Sequence, residues 1–118
     1  MPHLLIRGIK PEQLCEISKP MVEELALVCE CGTDNFTLEV LSTTGVFDGK
    51  VVPSFPFIEV AWFERGPEVR NRFAEAVTKH VLSLGLPEVE IAFVAYREDS
   101  YYINGKSCQN LASAPDNR

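Results

Sequence analysis

The apolar residues of this chain change their spacing in a regular order. Residues 1–8 form a short apolar run, which predicts a β-strand. A stripe of apolar residues at three- and four-residue steps follows and predicts a helix with one buried face; its members are Leu14, Ile17, Met21, Leu25 and Val28. Residues 36–41 then alternate apolar and polar side chains, which is typical of a strand with one buried face.

Proline and glycine indicate the limits of this first helix. Pro11 and Glu12 suit its first turn, where proline loses no hydrogen bond and a carboxylate meets the positive end of the helix dipole. Gly32 is predicted to end the helix. Pro20 lies inside it and removes one backbone hydrogen bond, so we expect a kink or a split at that point.

The same order of elements returns after residue 55. Residues 56–63 predict a second strand that opens with proline, and Pro67 suits the first turn of a second helix that ends at Gly85. Residues 89–95 predict a fourth strand, and residues 101–103 predict a short fifth one. The apolar stripe of the second helix contains Val69, Phe73, Val77, His80, Val81 and Leu84.

Two β-α-β units in tandem predict a two-layer α+β fold, with one four-stranded mixed sheet and two helices on one face. We expect a single domain, 1–118, with repeat one at about 2–42, a linker at about 43–55, repeat two at about 56–105 and a loose tail at 111–118. Asp48 and Gly49 predict a hairpin inside the linker. Apolar residues on both faces of strands one and four predict oligomerisation through the open sheet face.

Composition and charge narrow the classes of partner. The 118 residues carry a net charge of −6, which argues against nucleic acid and anionic membranes, because both require a basic surface. No apolar run approaches the roughly 18 residues that a membrane span needs, and no signal peptide is evident. The sequence therefore predicts a cytoplasmic protein.

The four cysteines predict neither disulfides nor a metal site. A disulfide framework belongs to secreted proteins. The pair Cys29 and Cys31 lacks the spacing of a redox motif or a zinc site, and His3 and His80 have no ligand-like spacing to it. We expect Cys15 and Cys29 to be buried small hydrophobic residues, and we expect no cofactor.

Pro2 is the first candidate for chemistry. Methionine before proline is a good substrate for methionine removal, which would leave a secondary amine on Pro2. A free α-amino group titrates at about 7.7–8.0, and burial or a nearby cation lowers that pKa toward the range in which a general base works at neutral pH. The plain alternative is that Pro2 only begins an edge strand.

Arginines and tyrosines near predicted strand ends are the second set of candidates. Arginines that converge on one pocket would bind a carboxylate through two hydrogen bonds, and Arg65 is the first choice. Arg7 and Arg97 fit such a role or surface ion pairs with nearby carboxylates. A tyrosine could donate a hydrogen bond to a ligand oxygen or serve packing alone; the candidates are Tyr96, Tyr101 and Tyr102. We expect His80 to be a hydrogen-bonded core histidine.

These features together resemble the tautomerase superfamily, which includes 4-oxalocrotonate tautomerase and macrophage migration inhibitory factor. The resemblance rests on a proline after the first methionine, a two-fold β-α-β repeat, and a second repeat that opens with Pro56. Residues 56–66 look like the opening of the small oxalocrotonate-type members, and residues 101–105 look like their aromatic-Gly-Ile-Gly-Gly closing segment.

The resemblance implies a homotrimer with pockets between subunits and a proline nitrogen that moves a proton on a small keto or unsaturated acid. It implies that Pro2 is the base, that Arg65 binds the carboxylate, and that Tyr101 lines the pocket. Other family positions differ, since Thr37 or Glu90 stands where an arginine is expected. Two alternatives stay open: a non-catalytic binding or scaffold member of the fold, and a ferredoxin-like regulatory module, whose repeat strands are antiparallel.

Overall fold

Two helices and one four-stranded sheet make up the body of the described part of the protein, and two small hairpins are attached to it. The computed structural model describes residues 2–111, so Met1 and most of the predicted loose tail lie outside the described residues. The elements are β1 (His3–Arg7), α1 (Pro11–Cys29), β2 (Thr37–Val40), β3 (Gly45–Phe47), β4 (Lys50–Val52), β5 (Phe57–Trp62), α2 (Pro67–Leu82), β6 (Glu90–Ala95), β7 (Tyr102–Ile103) and β8 (Lys106–Ser107). Short 3₁₀ turns lie at Thr33–Asn35, Glu98–Ser100 and Cys108–Leu111.

The large sheet has the strand order β2-β1-β5-β6. Strands β1 and β2 are parallel, as are β5 and β6, and the central pair β1 and β5 is antiparallel. The predicted tandem repeat and mixed sheet are confirmed. The direct parallel pairing of the two strands within each repeat excludes the ferredoxin-like alternative, whose sheet pairs neighbouring strands antiparallel.

The two repeats also share an equivalent backbone hydrogen bond at the start of their first strands. The amide of Thr37 donates to the carbonyl of Pro2 at 3.1 Å, and the amide of Glu90 donates to the carbonyl of Pro56 at 3.1 Å. Because β1 and β5 run in opposite directions, Pro2 and Pro56 occupy equivalent positions at opposite ends of the sheet.

Both helices cover the same face of the sheet and form the core with it. The helix-facing side chains of the two central strands are fully buried, and the predicted apolar stripe of α1 is buried throughout. Burial of this kind contributes roughly 25 cal/mol per Å² of apolar surface. The buried residues of β1 and β5 with the buried aromatic of α2 are Leu4, Ile6, Ile58, Val60, Ala61, Trp62 and Phe73.

Helix α1 differs from the prediction at two points. It ends at Cys29, with Glu30 in the left-handed conformation at φ 55°, and not at Gly32. It also runs through Pro20 without being split. Pro20 lies on the exposed face of the helix, where water can satisfy the carbonyl that loses its partner.

The expectation that Cys15 is buried is wrong. Cys15 is exposed, whereas Cys29 is buried and both are free thiols. Cys15 follows the buried Leu14 by one residue, a rotation of about 100° around the helix, and this step turns it out of the buried stripe.

Neither helix within residues 2–111 covers the second face of the sheet. Apolar side chains such as Leu5 and Val94 share this face with carboxylates, and Val94 is 40% exposed. The hairpin β3–β4 also carries uncovered apolar residues, since Val46, Phe47 and Val51 are 70%, 75% and 76% exposed. Neither described helix is both long and apolar enough to cross a membrane.

Candidate functional site

One end of the sheet gathers the starts of β1 and β2 and the ends of β5 and β6. This follows from the antiparallel central pair, in which His3 lies opposite Ala61. Thr37 begins β2 beside His3, and Phe63 and Tyr96 directly follow β5 and β6. We call this the Pro2 end of the sheet.

Pro2 is buried at this end. Its ring is among the fully buried side chains of the protein, and its carbonyl accepts the hydrogen bond from the Thr37 amide. The backbone of Pro2 is therefore fixed by the sheet, and its ring is shielded from bulk water. Burial of an amine disfavours its charged form.

His3 joins two distant parts of the chain through its ring. Its Nδ1 lies 2.6 Å from Oγ1 of Thr37, and its Nε2 lies 3.0 Å from the hydroxyl of Tyr101. Burial lowers the pKa of His3, the positive amino terminus lowers it further, and Glu39 opposes both effects. The imidazole is therefore biased toward its neutral form, in which one nitrogen donates and the other accepts.

His3 belongs to a group of four rings at the Pro2 end, which we call the aromatic cluster: His3, Phe63, Tyr96 and Tyr101. The ring of Tyr101 lies 5.0 Å from that of Phe63 and 5.1 Å from that of Tyr96, centroid to centroid. The ring of His3 lies 6.3 Å from Tyr96 and 6.5 Å from Tyr101. Tyr96 is still 36% exposed, so the cluster reaches the surface.

The hairpin β7–β8 brings Tyr101 to this cluster. Its turn uses Asn104 and Gly105, both with positive φ, at 51° and 81°. The amide of Cys108 donates to the carbonyl of Tyr101 at 2.8 Å, and Cys108 is itself buried. The predicted short strand at residues 101–103 is thus present as β7, and it anchors the last described segment to the first strand.

Arg65 also follows β5 at the Pro2 end, but its side chain contacts the end of helix α1. Its Nη1 donates to the carbonyl of Cys29 at 3.2 Å, which satisfies one of the last carbonyls of α1. Burial raises the pKa of the Cys29 thiol to about 11, and the nearby Arg65 charge opposes this only in part. In this structure Arg65 therefore stabilises the end of a helix.

The other two candidate arginines, Arg7 and Arg97, make contacts away from the aromatic cluster. Arg7 lies at the far end of β1, with its guanidinium 4.8 Å from the centroid of the Phe57 ring. Arg97 is exposed and pairs with Asp99 through contacts of 3.0 and 2.6 Å. That ion pair holds the pKa of Asp99 below its usual value.

The structure thus connects Tyr101 to the strand that follows Pro2, and the link is His3. Sequence reasoning considered His3 only as a metal ligand. Within residues 2–111, no group of three or more histidine, cysteine or acidic residues is placed to hold a metal ion. The alternation of side chains along β1 could have predicted that His3 lies on the open face of the sheet. The residues around His3 do not indicate its contact with Tyr101, which is 98 positions away.

Comparison with known proteins gives a family and a fold. Residues 1–107 match the family described as "Domain of unknown function (DUF1904)". A crystal structure of such a domain from Sebaldella termitidis is 36% identical, with a TM-score of 0.84 over 91% of this chain and 99% of that one. No curated protein matches the sequence.

Solved structures of the tautomerase superfamily share the fold at low identity. A fused 4-OT, described as an asymmetric trimer, aligns with a TM-score of 0.80 at 11% identity over 93% of this chain and 98% of that chain. A macrophage migration inhibitory factor-like protein from Entamoeba histolytica aligns with a TM-score of 0.68 at 19% identity, over 90% and 97%. Pt0534, inactivated by 2-oxo-3-pentynoate, aligns with a TM-score of 0.75 at 14% identity, over 94% and 98%.

Proposed function

This chain belongs to the DUF1904 family and has the tautomerase-superfamily fold, and on that basis we propose that it transfers a proton on a small enolisable keto or unsaturated carboxylic acid. The observation that carries the proposal is the position of Pro2, which is buried at the end of the sheet and is followed directly by His3 of the aromatic cluster. The inactivation of Pt0534 by a 2-oxo acid supports the same ligand class.

Pro2 is the proposed general base. Once Met1 is removed, its nitrogen is a secondary amine, and burial lowers the pKa of such an amine from about 7.7–8.0. The free amine takes a proton from the carbon beside the carbonyl group, which leaves an enolate and a charged amine. The charged amine then returns the proton to another carbon or to the enolate oxygen, and ketonisation of an enol is the second of these steps in reverse, so that neither needs a cofactor.

Arg65 is the first candidate to bind the carboxylate of the ligand. It is half-buried and follows β5 at the Pro2 end, although a ligand would have to draw it from the carbonyl of Cys29. Arg97 would have to leave Asp99. Arg7 lies at the opposite end of the sheet and could act only in a pocket shared with another copy. Arg65→Lys is expected to raise KM for the acid more than Arg7→Lys does.

We propose a homotrimer as the assembly. The supporting observations are the sheet face without helices, the exposed Phe47 and Val51 of the hairpin, and the trimeric fused 4-OT of the same fold. Light scattering after size exclusion is expected to give three times the chain mass. A monomer at micromolar concentration would contradict the assembly.

The decisive experiment compares Pro2→Ala with Pro56→Ala. Pro56 has the same sheet hydrogen bond at the opposite end, but its nitrogen lies inside the chain and cannot act as a base. With protein shown by intact mass to lack Met1, we expect Pro2→Ala to lower kcat for ketonisation of the enol of phenylpyruvate or of 2-hydroxymuconate by about 10²–10⁴-fold. Pro56→Ala should retain kcat. Equal rates in wild type and Pro2→Ala would remove Pro2 from the mechanism.

A non-catalytic binding or scaffold role is the second candidate. It is favoured by the engagement of Arg65 and Arg97 in contacts within the chain. Retention of Met1 in the native protein, together with measurable binding of a 2-oxo acid and no turnover, would select this role.

A further inference from the structure

We propose that His3 is a positioning residue that orients the hydroxyl of Tyr101, and that this hydroxyl donates a hydrogen bond to the carbonyl or enol oxygen of the ligand. The hydrogen bond from Tyr101 to the ligand rests on the proposed function, because it assumes a keto or enol acid at the Pro2 end. The positioning of Tyr101 by His3 rests on geometry alone. Three residues from the first strand, the second strand and the last hairpin form one chain of hydrogen bonds: His3, Thr37 and Tyr101.

A neutral imidazole at this point allows two opposite arrangements. In one, Thr37 donates to Nδ1 of His3 and Nε2–H donates to the oxygen of Tyr101. In the other, Tyr101 donates to Nε2 and Nδ1–H donates to Thr37. Only the first arrangement turns the proton of Tyr101 away from the imidazole and toward another acceptor.

The presence of a ligand oxygen selects the first arrangement. All donors then point in one direction, from Thr37 through His3 and Tyr101 to the ligand, and hydrogen bonds in such a chain polarise one another. The pKa of His3, lowered by burial, keeps the ring neutral so that this choice of tautomer exists at pH 7.

The arrangement complements the chemistry proposed for Pro2. When the amine of Pro2 takes the proton from carbon, negative charge grows on the ligand oxygen. A preorganised donor is worth most at that moment, because it stabilises the transition state more than the ground state. Tyr101 keeps its own proton throughout and acts as a hydrogen-bond donor. His3 begins β1 directly after Pro2, whose carbonyl is bonded to β2, so the sheet fixes the base and the donor relative to each other.

The test of the geometry uses nitrogen-15 NMR of the two histidines and needs no activity. The titration of His3 is expected to shift in Tyr101→Phe and in Thr37→Val, because each variant removes one partner of the ring. His80 is the internal control, since its Nε2 lies 2.9 Å from Glu24 and neither variant alters that contact. Glu39, Tyr96 and the amino terminus also lie near His3 and stay unchanged in both variants. Identical His3 titrations in all three proteins would overturn the positioning role.

The test of the ligand contact uses phenylpyruvate as the probe. On addition of the probe, the His3 ring nitrogens of the wild type are expected to shift, and those of Tyr101→Phe are not. If the wild type is active, Tyr101→Phe should lower kcat by about 10²–10³-fold with a smaller change in KM. His3→Phe should lower kcat less, and His3→Gln, which retains an N–H donor, should recover part of it.

The two proposals can fail separately. An inactive wild type whose His3 still responds to phenylpyruvate through Tyr101 refutes proton transfer and supports the contact. An active wild type whose kcat is unchanged in Tyr101→Phe and His3→Phe refutes the contact and leaves Pro2 as the base.

Discussion

Gly8 lies where β1 ends and the chain entering β5 passes directly beside it. Its φ is +80°, and a Cβ at this position would lie 2.4 Å from the carbonyl oxygen of Phe55 and 2.6 Å from the nitrogen of Pro56. Both neighbours are backbone atoms of the segment that begins the second repeat, so neither can move aside as a flexible side chain could. Gly8→Ala therefore tests how closely the two repeats are joined.

The expected loss has two parts. A left-handed conformation costs an alanine roughly 1–2 kcal/mol. Forcing an extra carbon into occupied space costs about 1–3 kcal/mol more. Gly85→Ala is the matched control, because Gly85 has a φ of +89° and a Cβ added there would have nothing within 4 Å. We expect Gly8→Ala to lower the free energy of unfolding by about 2–5 kcal/mol and Gly85→Ala by about 1–2 kcal/mol.

Equilibrium unfolding in urea measures both values. The m-value should be unchanged, so that the shift in midpoint reports stability alone. A domain of this kind has a free energy of unfolding of about 5–15 kcal/mol, so the larger loss is measurable and leaves a folded population in most cases. Equal losses for the two variants would refute the reasoning, because they would show that conformation matters at Gly8 and close packing does not.

Three further results are expected. Thiol reagents at pH 8 should label exposed Cys15 first, half-buried Cys31 next and Cys29, whose pKa is raised to about 11 by burial, much later; Cys15→Ser should remove the first phase. Glu24→Gln should cost less than about 1 kcal/mol at neutral pH. Hydrogen bonds from Lys79 and His80 hold the pKa of Glu24 below 4.5, so this stabilisation is present above that value and the difference from wild type should vanish in acid. Trp62→Phe should lower the free energy of unfolding only slightly for a buried position, because the indole N–H has no partner among the described residues. A decrease above about 3 kcal/mol would contradict this.

Hydrophobic spacing predicted most of the fold correctly. Each of the four main strands and both helices lies within a few residues of its predicted position, and the Asp48–Gly49 hairpin is present. The errors concern local detail. Glu30 adopts the left-handed conformation that the sequence led us to expect near Gly32, and Pro20 is tolerated because its face of the helix meets water.

The candidate site was less predictable. Pro2 and Tyr101 were candidates both from the residues and from the resemblance, and the structure places His3, which neither indicated, next to Pro2 and in contact with Tyr101. Among the arginines, the surface ion pair expected for Arg97 is present with Asp99. Arg7 lies at the opposite end of the sheet because it ends β1, whereas Arg65 follows the antiparallel strand β5. The sequence near each strand end does not show in which direction the strand runs.

The sequence by itself determined the elements and their order, because the period of apolar residues and the turn chemistry are local properties of the chain. The repeat also placed Pro2 and Pro56 in equivalent settings. Only the tertiary structure decided that these settings lie at opposite ends of one sheet, because that depends on the antiparallel pairing of β1 with β5. The contact of His3 with Tyr101 likewise depends on the hairpin β7–β8 folding back onto the first strand, and such long-range contacts leave no mark in local spacing.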